Sequence, residues 1–163
     1  MKRSVLLYAA LWGVLFAIIV VLTNVVFPTP NESDDEYTGW YIVLYLGLFL
    51  LFAIGGAINS ERAHPLRSGA IGGAVAALIM VAMIMLTFVV VDNVFLDTVS
   101  QQIDKINAFH AQTTYTSMRD FITDGLLRGV VVVLPVVAVV GAFLGAIASL
   151  LRQRVTPSAP AVA

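Results

Sequence analysis

Four separate stretches of the chain, 4–27, 38–58, 68–91 and 126–151, are each at or beyond the roughly 20 mainly apolar residues that an α-helix needs to cross a bilayer. The first and third carry no charged side chain at all. Packed as a soluble core, four such segments in 163 residues would leave no polar shell to keep the protein dissolved: 60% of the chain is hydrophobic and 12% charged, against about 25% charged in soluble domains. The expected fold class is therefore an all-α membrane protein, a four-transmembrane-helix bundle forming one domain over 1–154. Residues 155–163 form a disordered cytoplasmic tail of prolines and small residues.

Lys2 and Arg3 ahead of the first apolar run resemble the start of a secretory signal. The run, however, continues to Phe27 and Pro28 without a small-residue cleavage pattern, so it is expected to stay as helix one. Cysteine is absent, which excludes disulfides, thiolate metal sites and cysteine nucleophiles.

Net charge is −1, but it is distributed unevenly. With the N-terminus inside, the inner segments hold Lys2, Arg3, Arg62, Arg67, Arg152 and Arg154 against Glu61, or +5. The outer segments hold nine acids, including Asp92, Asp97, Asp104, Asp120 and Asp124, against Lys105, Arg119 and Arg128, or −6. Six basic residues against three orient the chain in the cell membrane with both termini cytoplasmic. Phe27, Tyr37, Trp40, Tyr41 and Phe95 gather near the outer face, where amphipathic rings favour the headgroup layer.

The first outer loop, 28–36, opens with prolines that stop helix one, and Ser33 and Glu36 have the spacing of a capping box for helix two. Its carboxylates have a second reading as a divalent-cation site, against the simpler one of a solvated acidic run. The inner turn, 59–67, is short, and Pro65 suits the first position of helix three. Setting Arg3-Ser4 over Arg67-Ser68 aligns helices one and three without a gap. Helices two and four then share Gly56-Ala57-Ile58-x-Ser60 and Gly145-Ala146-Ile147-x-Ser149. Two duplicated helical hairpins about a pseudo-two-fold axis are one reading; chance similarity of Ala-, Val- and Gly-rich helices is the other.

Small residues recur every fourth position: Ala9, Gly13 and Ala17 in helix one, Gly69, Gly73 and Ala77 in helix three, Gly141, Gly145 and Ser149 in helix four. Gly55, Gly56 and Ser60 add to them in helix two. Lipid tails give helices no hydrophobic reason to associate, so such stripes are where backbones approach closely, inside the bundle or against a partner. Between helices three and four, segment 92–125 is longer than a connection needs to be. Val99, Ile103, Ile106 and His110 follow helical spacing there, which describes an outer amphipathic helix on the membrane surface or over the bundle. Ser117 marks a further turn, and Thr123 or Asp124 is expected to cap helix four. Asp124 and Arg128, four apart, are expected to pair at the outer interface, and Pro135 invites a kink.

No charged group falls at the midplane, and the strongly polar residues within the spans are Thr23, Asn24 and Thr87, near the outer ends. His64 and His110 both lie outside the membrane core, so no histidine pair faces across a bundle to hold haem. His110 with Asp104 is the nearest approach to a metal site. No nucleophile elbow, zinc-protease, P-loop or dinucleotide motif is present, and Asp92, Asp97, His110 and Asp120 have no spacing that specifies catalysis. The expectation is a protein without catalytic, cofactor or metal residues: an accessory or assembly subunit whose partners are the lipid bilayer, other membrane proteins or its own copies, and not nucleic acid. A pore or carrier for a neutral or weakly polar solute is the alternative, marked by a water-filled path along Thr23, Asn24, Thr87 and Pro135.

Overall fold

A computed structural model describes residues 1–28 and 38–155. The 28–36 loop beyond Pro28, with its Ser33 and Glu36 capping pair, and the tail beyond Val155 lie outside the described residues. Within them the secondary structure is entirely helical: α1 (Arg3–Val21) running into a π-helical segment (Leu22–Val26), α2 (Thr38–Asn59), α3 (Pro65–Val94), α4 (Leu96–Val99), α5 (Ile103–His110) and α6 (Met118–Val155). Four helices are long and apolar enough to cross a membrane: α1 with its π-helical extension, α2, α3 and α6, of 24, 22, 30 and 38 residues.

Each helix end has a local cause. The π-helical segment is closed by Phe27 N–H donating to the Leu22 carbonyl at 2.8 Å, just before Pro28, whose ring disfavours helix in the preceding residue. Thr23 Oγ1 and Asn24 Nδ2 donate to the Ile19 and Val20 carbonyls, both at 2.9 Å, so side chains satisfy acceptors that the wider winding releases. α3 starts on Pro65, where a missing N–H costs nothing. α6 starts at Met118, eight residues before the apolar window, with Ser117 at the capping position. Thr123 and Asp124 therefore lie inside the helix rather than at its start. Pro135 also lies inside α6, which continues through it.

The helix expected as one amphipathic piece from Val99 to His110 is divided. Ser100 Oγ and Gln101 Nε2 both bond back to the Asp97 carbonyl, and Gln102 is extended (φ −65°, ψ 126°), so α4 ends and α5 begins anew.

Packing groups the chain into two units. The first comprises Met1–Ala10, Leu46–Ile79 and the described residues from Val136 onward. Its core is Val5, Ala9, Leu51, Phe52, Ala76 and Ala77 with the glycines of α2, α3 and α6. The second comprises Leu11–Tyr45 and Met80–Pro135. There the buried residues Val91, Val99 and Ile122 are surrounded by Val21, Val25, Leu96, Met118, Phe121 and Leu126, each large side chain contributing about 1.5–3 kcal/mol when fully buried.

Candidate functional site

In the first unit the small residues of three helices meet backbone to backbone. A Cβ added at Gly56 would strike the Gly145 backbone, one at Gly73 the carbonyl of Gly141, and one at Gly145 the carbonyl of Gly69 and the Cα of Gly73. Gly69 lies against Ser149, Gly55 against Ala76, and Gly141 against Ala77, whose Cβ would be 2.6 Å from an added one. Glycine is required here by close approach alone, since no φ is positive. Ala9 is fully buried in this unit. Gly13 and Ala17 belong to the second unit, where Gly13 packs on Met83. Gly39, Gly47, Gly125 and Gly129, by contrast, face open space.

One end of this seam carries a polar collar. Asn59, 2% exposed, accepts from the Lys2 backbone N–H (3.0 Å) and donates to the Ser68 carbonyl (2.7 Å). Ser68 Oγ accepts from Glu61 N–H (2.9 Å) and donates to the His64 carbonyl (2.8 Å). The Ser149 hydroxyl is 2.6 Å from that of Ser60 and 2.8 Å from the Pro65 carbonyl. Carbonyls at and just past the end of α2 receive cations: Lys2 Nζ donates to Ile58 (2.9 Å) and Ser60 (2.8 Å), and Arg152 donates to Ala57. Positive groups at a helix C-terminus both satisfy orphan acceptors and complement the dipole. Each of these contacts joins two parts of the fold.

The second unit holds the residues expected at an outer interface. Val99 is fully buried, whereas Ile103 is 38% exposed and α5 buries no residue. Ile106 is half-buried and His110 is exposed, its ring 6.1 Å from that of Phe109. Among the contacts that tie α5 and its approach to the rest of the unit are Lys105 Nζ to Asp92 Oδ1 at 3.2 Å, Gln102 Nε2 to Asn24 Oδ1 at 3.1 Å, and the Phe109 ring against Phe121 at 5.7 Å. The Asp92 side chain is 2% exposed and that of Lys105 26%, so this pair is largely desolvated. Arg128 Nε pairs with Asp124 Oδ2 at 2.6 Å, but its side chain is 77% exposed, which limits the stabilisation to about 0–1 kcal/mol. Tyr115 donates its hydroxyl to the same carboxylate. That hydrogen bond is the main cause that raises its pKa above the usual 10.0; partial burial and the Asp124 charge add to it, and Arg128 opposes it.

Alongside these ties runs an open apolar groove of about 310 Å³, lined by Val14, Ala17, Ile18, Val21 and Leu22 of one α1 stripe with Thr87 of α3. Thr87 donates its hydroxyl to the Met83 carbonyl at 2.8 Å, so the wall has no free donor.

Sequence spacing pointed to the glycines, but not to Lys2, Asn59 and Ser68, or to the Asp92–Lys105 pair. These are joined over separations that no local pattern encodes. Among the described residues, no three histidine, aspartate or glutamate side chains gather as a metal set would require. No protein-family model, curated protein or solved structure matches the chain.

Proposed function

We propose that the chain is a small non-catalytic integral membrane protein of the cell membrane, an accessory or assembly subunit that binds partner membrane proteins or lipids. The observation that carries this reading is how its surfaces are used. Gly55, Gly56, Gly69, Gly73, Gly141 and Gly145 of α2, α3 and α6 are consumed in close packing within the first unit. Large apolar side chains remain outward on the long helices: Leu11 and Leu46 are 60% and 62% exposed, and Val132, Val139 and Phe143 are 64%, 70% and 66% exposed. The polar groups that a solute path would need are occupied differently, since Thr23, Asn24 and Thr87 all donate to carbonyls of their own helices. Glycine-to-glycine packing leaves no lumen along the first unit's seam, which favours the subunit over a pore.

In this reading both termini are cytoplasmic, because the collar and its neighbouring arginines carry the basic excess. α4 and α5 then lie at the outer membrane surface as a broken amphipathic element, available to a partner. The helical hairpins are a duplication. In support, matched positions of the two halves touch each other, Gly56 against Gly145 and Ser60 against Ser149, as residues beside a pseudo-two-fold axis do.

Gentle detergent extraction followed by cross-linking and mass spectrometry tests the proposal. A reproducible membrane-protein or lipid companion at fixed stoichiometry is expected. Reconstituted protein that has no companion and conducts a small neutral solute into vesicles would replace the subunit with the pore.

A further inference from the structure

We infer that the groove along α1 is a binding site for one acyl chain of a membrane phospholipid. This deepens the lipid arm of the proposed function and rests on it, but it fails by a separate measurement. The groove's lining residues recur at the spacing of one helix face, and Ala17 at its middle is the small residue that makes the face concave between Val14, Ile18 and Val21. With the Thr87 proton committed to Met83, a water-soluble ligand would find no free donor there, whereas hydrocarbon fits without loss.

Dimensions select the occupant further. Val14 to Leu22 extends about 12 Å at 1.5 Å per residue, close to the depth of one leaflet of a core about 30 Å thick. The volume, about 310 Å³, is roughly twice that of the ~150 Å³ apolar cavity that accepts a benzene ring, which suits about a dozen carbons but is small for a transmembrane helix. Met83 packs on Gly13, one helical turn before Thr87 and Ala17 respectively. Apart from Thr87, the nearest polar groups along α1 are Thr23 and Asn24, just past Leu22, with Gln102 bonded to Asn24, at the level a lipid ester would occupy. The residues thus place an apolar slot of leaflet depth under a polar rim, in the order in which a phospholipid presents tail and headgroup.

The test uses the full chain in phosphatidylethanolamine–phosphatidylglycerol vesicles containing a trace of phosphatidylcholine with a photoactivatable diazirine acyl chain, and adducts are mapped by mass spectrometry. Labelling is expected to concentrate on residues 14–22 and 83–87, above the exposed α6 face at Val132, Val136 and Val139. Ala17→Phe, which fills the slot, should lower groove labelling about tenfold, the equivalent of losing roughly two buried methylenes of contact. Ile18→Trp fills it from the exposed rim and should act alike if the first variant fails to fold. Even labelling of the groove and the α6 face, or labelling unaffected by both variants, would overturn the site. Displacement of the adducts by equimolar free oleic acid would overturn the assignment to phospholipid. Loss of the site with a protein companion retained would leave the subunit proposal standing.

Discussion

At the scale of single residues, the glycine seam leaves almost no room for a side chain. Gly145 meets backbone on two sides, and backbone cannot turn away as a flexible side chain can. Gly145→Leu should therefore cost at least about 3 kcal/mol, the upper end of overpacking, seen as a fall in thermal midpoint in detergent. Gly125→Leu, facing open space, should leave the midpoint unchanged. Equal losses at the two positions would show that the seam is not the constraint. The fourfold spacing made these glycines legible in the sequence, because small side chains on one face of an apolar helix have few other uses. The collar was not legible: Lys2 and Asn59 are 57 residues apart, and neither is unusual where it stands. Tyr115 is a similar case, since its role depends on a carboxylate nine residues on. Its pKa is raised, so the neutral phenol is the form the fold favours. The stabilisation is fully present below the ordinary value of 10.0 and is lost as pH rises through the folded value. Asp124→Ala removes the acceptor that is the principal cause, and a carbon-13 label at Tyr115 Cζ should then titrate at lower pH; an unmoved titration would refute the hydrogen bond as the cause.

At the scale of elements, hydropathy located the four long helices, but α6 begins ahead of its apolar window, where polarity and helicity part company. The residues from Met118 to Gly125 include Arg119, Asp120 and Asp124, which exclude them from an apolar window. They are nonetheless helical, because Met118, Phe121 and Ile122 supply a face for the Val91–Val99 cluster. In 97–112 the error ran the other way. The apolar period was sound over each piece, yet side chains competing for the Asp97 carbonyl divide it, a contest that periodicity does not register. α5 consequently buries little and depends on the ties to Asp92, Asn24 and Phe121. Removing Lys105 leaves the Asp92 carboxylate buried without its partner, at a cost below the about 3–5 kcal/mol of a fully buried pair because the Lys105 side chain is 26% exposed. Lys105→Met should free α5, raising the mobility of a spin label at Ile103 and the cleavage rate between His110 and Ser117. Adding Asp92→Asn should recover part of the order by removing the stranded charge. A label at Ile103 equally mobile with and without Lys105 would mean that the ion pair does not hold the element.

At the scale of the whole molecule, the sequence speaks through the sum of its charges rather than through any site. Two facts about the helices bear on how the chain enters a membrane. Each long helix has a hydrophobic stretch sufficient to span, and the short turn 60–64 between α2 and α3 forces those two to run in opposite directions. The segment between α3 and α6 is longer, but it contains only α4 and α5, of four and eight residues, neither able to cross the roughly 30 Å core. In the proposed four-crossing arrangement an even number of crossings returns the chain to the side on which it began, which puts the region near Arg154 and the turn near Ala63 in one compartment and Gln112 in the other. On the lysine and arginine counts, the compartment proposed for both is the cytoplasm. A reporter active only in the cytoplasm should therefore work when fused after Arg154 or inserted beside Ala63 and be silent beside Gln112. A reporter active only outside should give the complementary pattern. Reversing the charge bias should invert the result: with Arg62, Arg67, Arg152 and Arg154 replaced by glutamine and lysines added beside Gln112, the fraction of inverted chains should rise. Cytoplasmic activity at both Ala63 and Gln112 in the unaltered chain would mean that α3 does not span, and the four-crossing arrangement would fall with it.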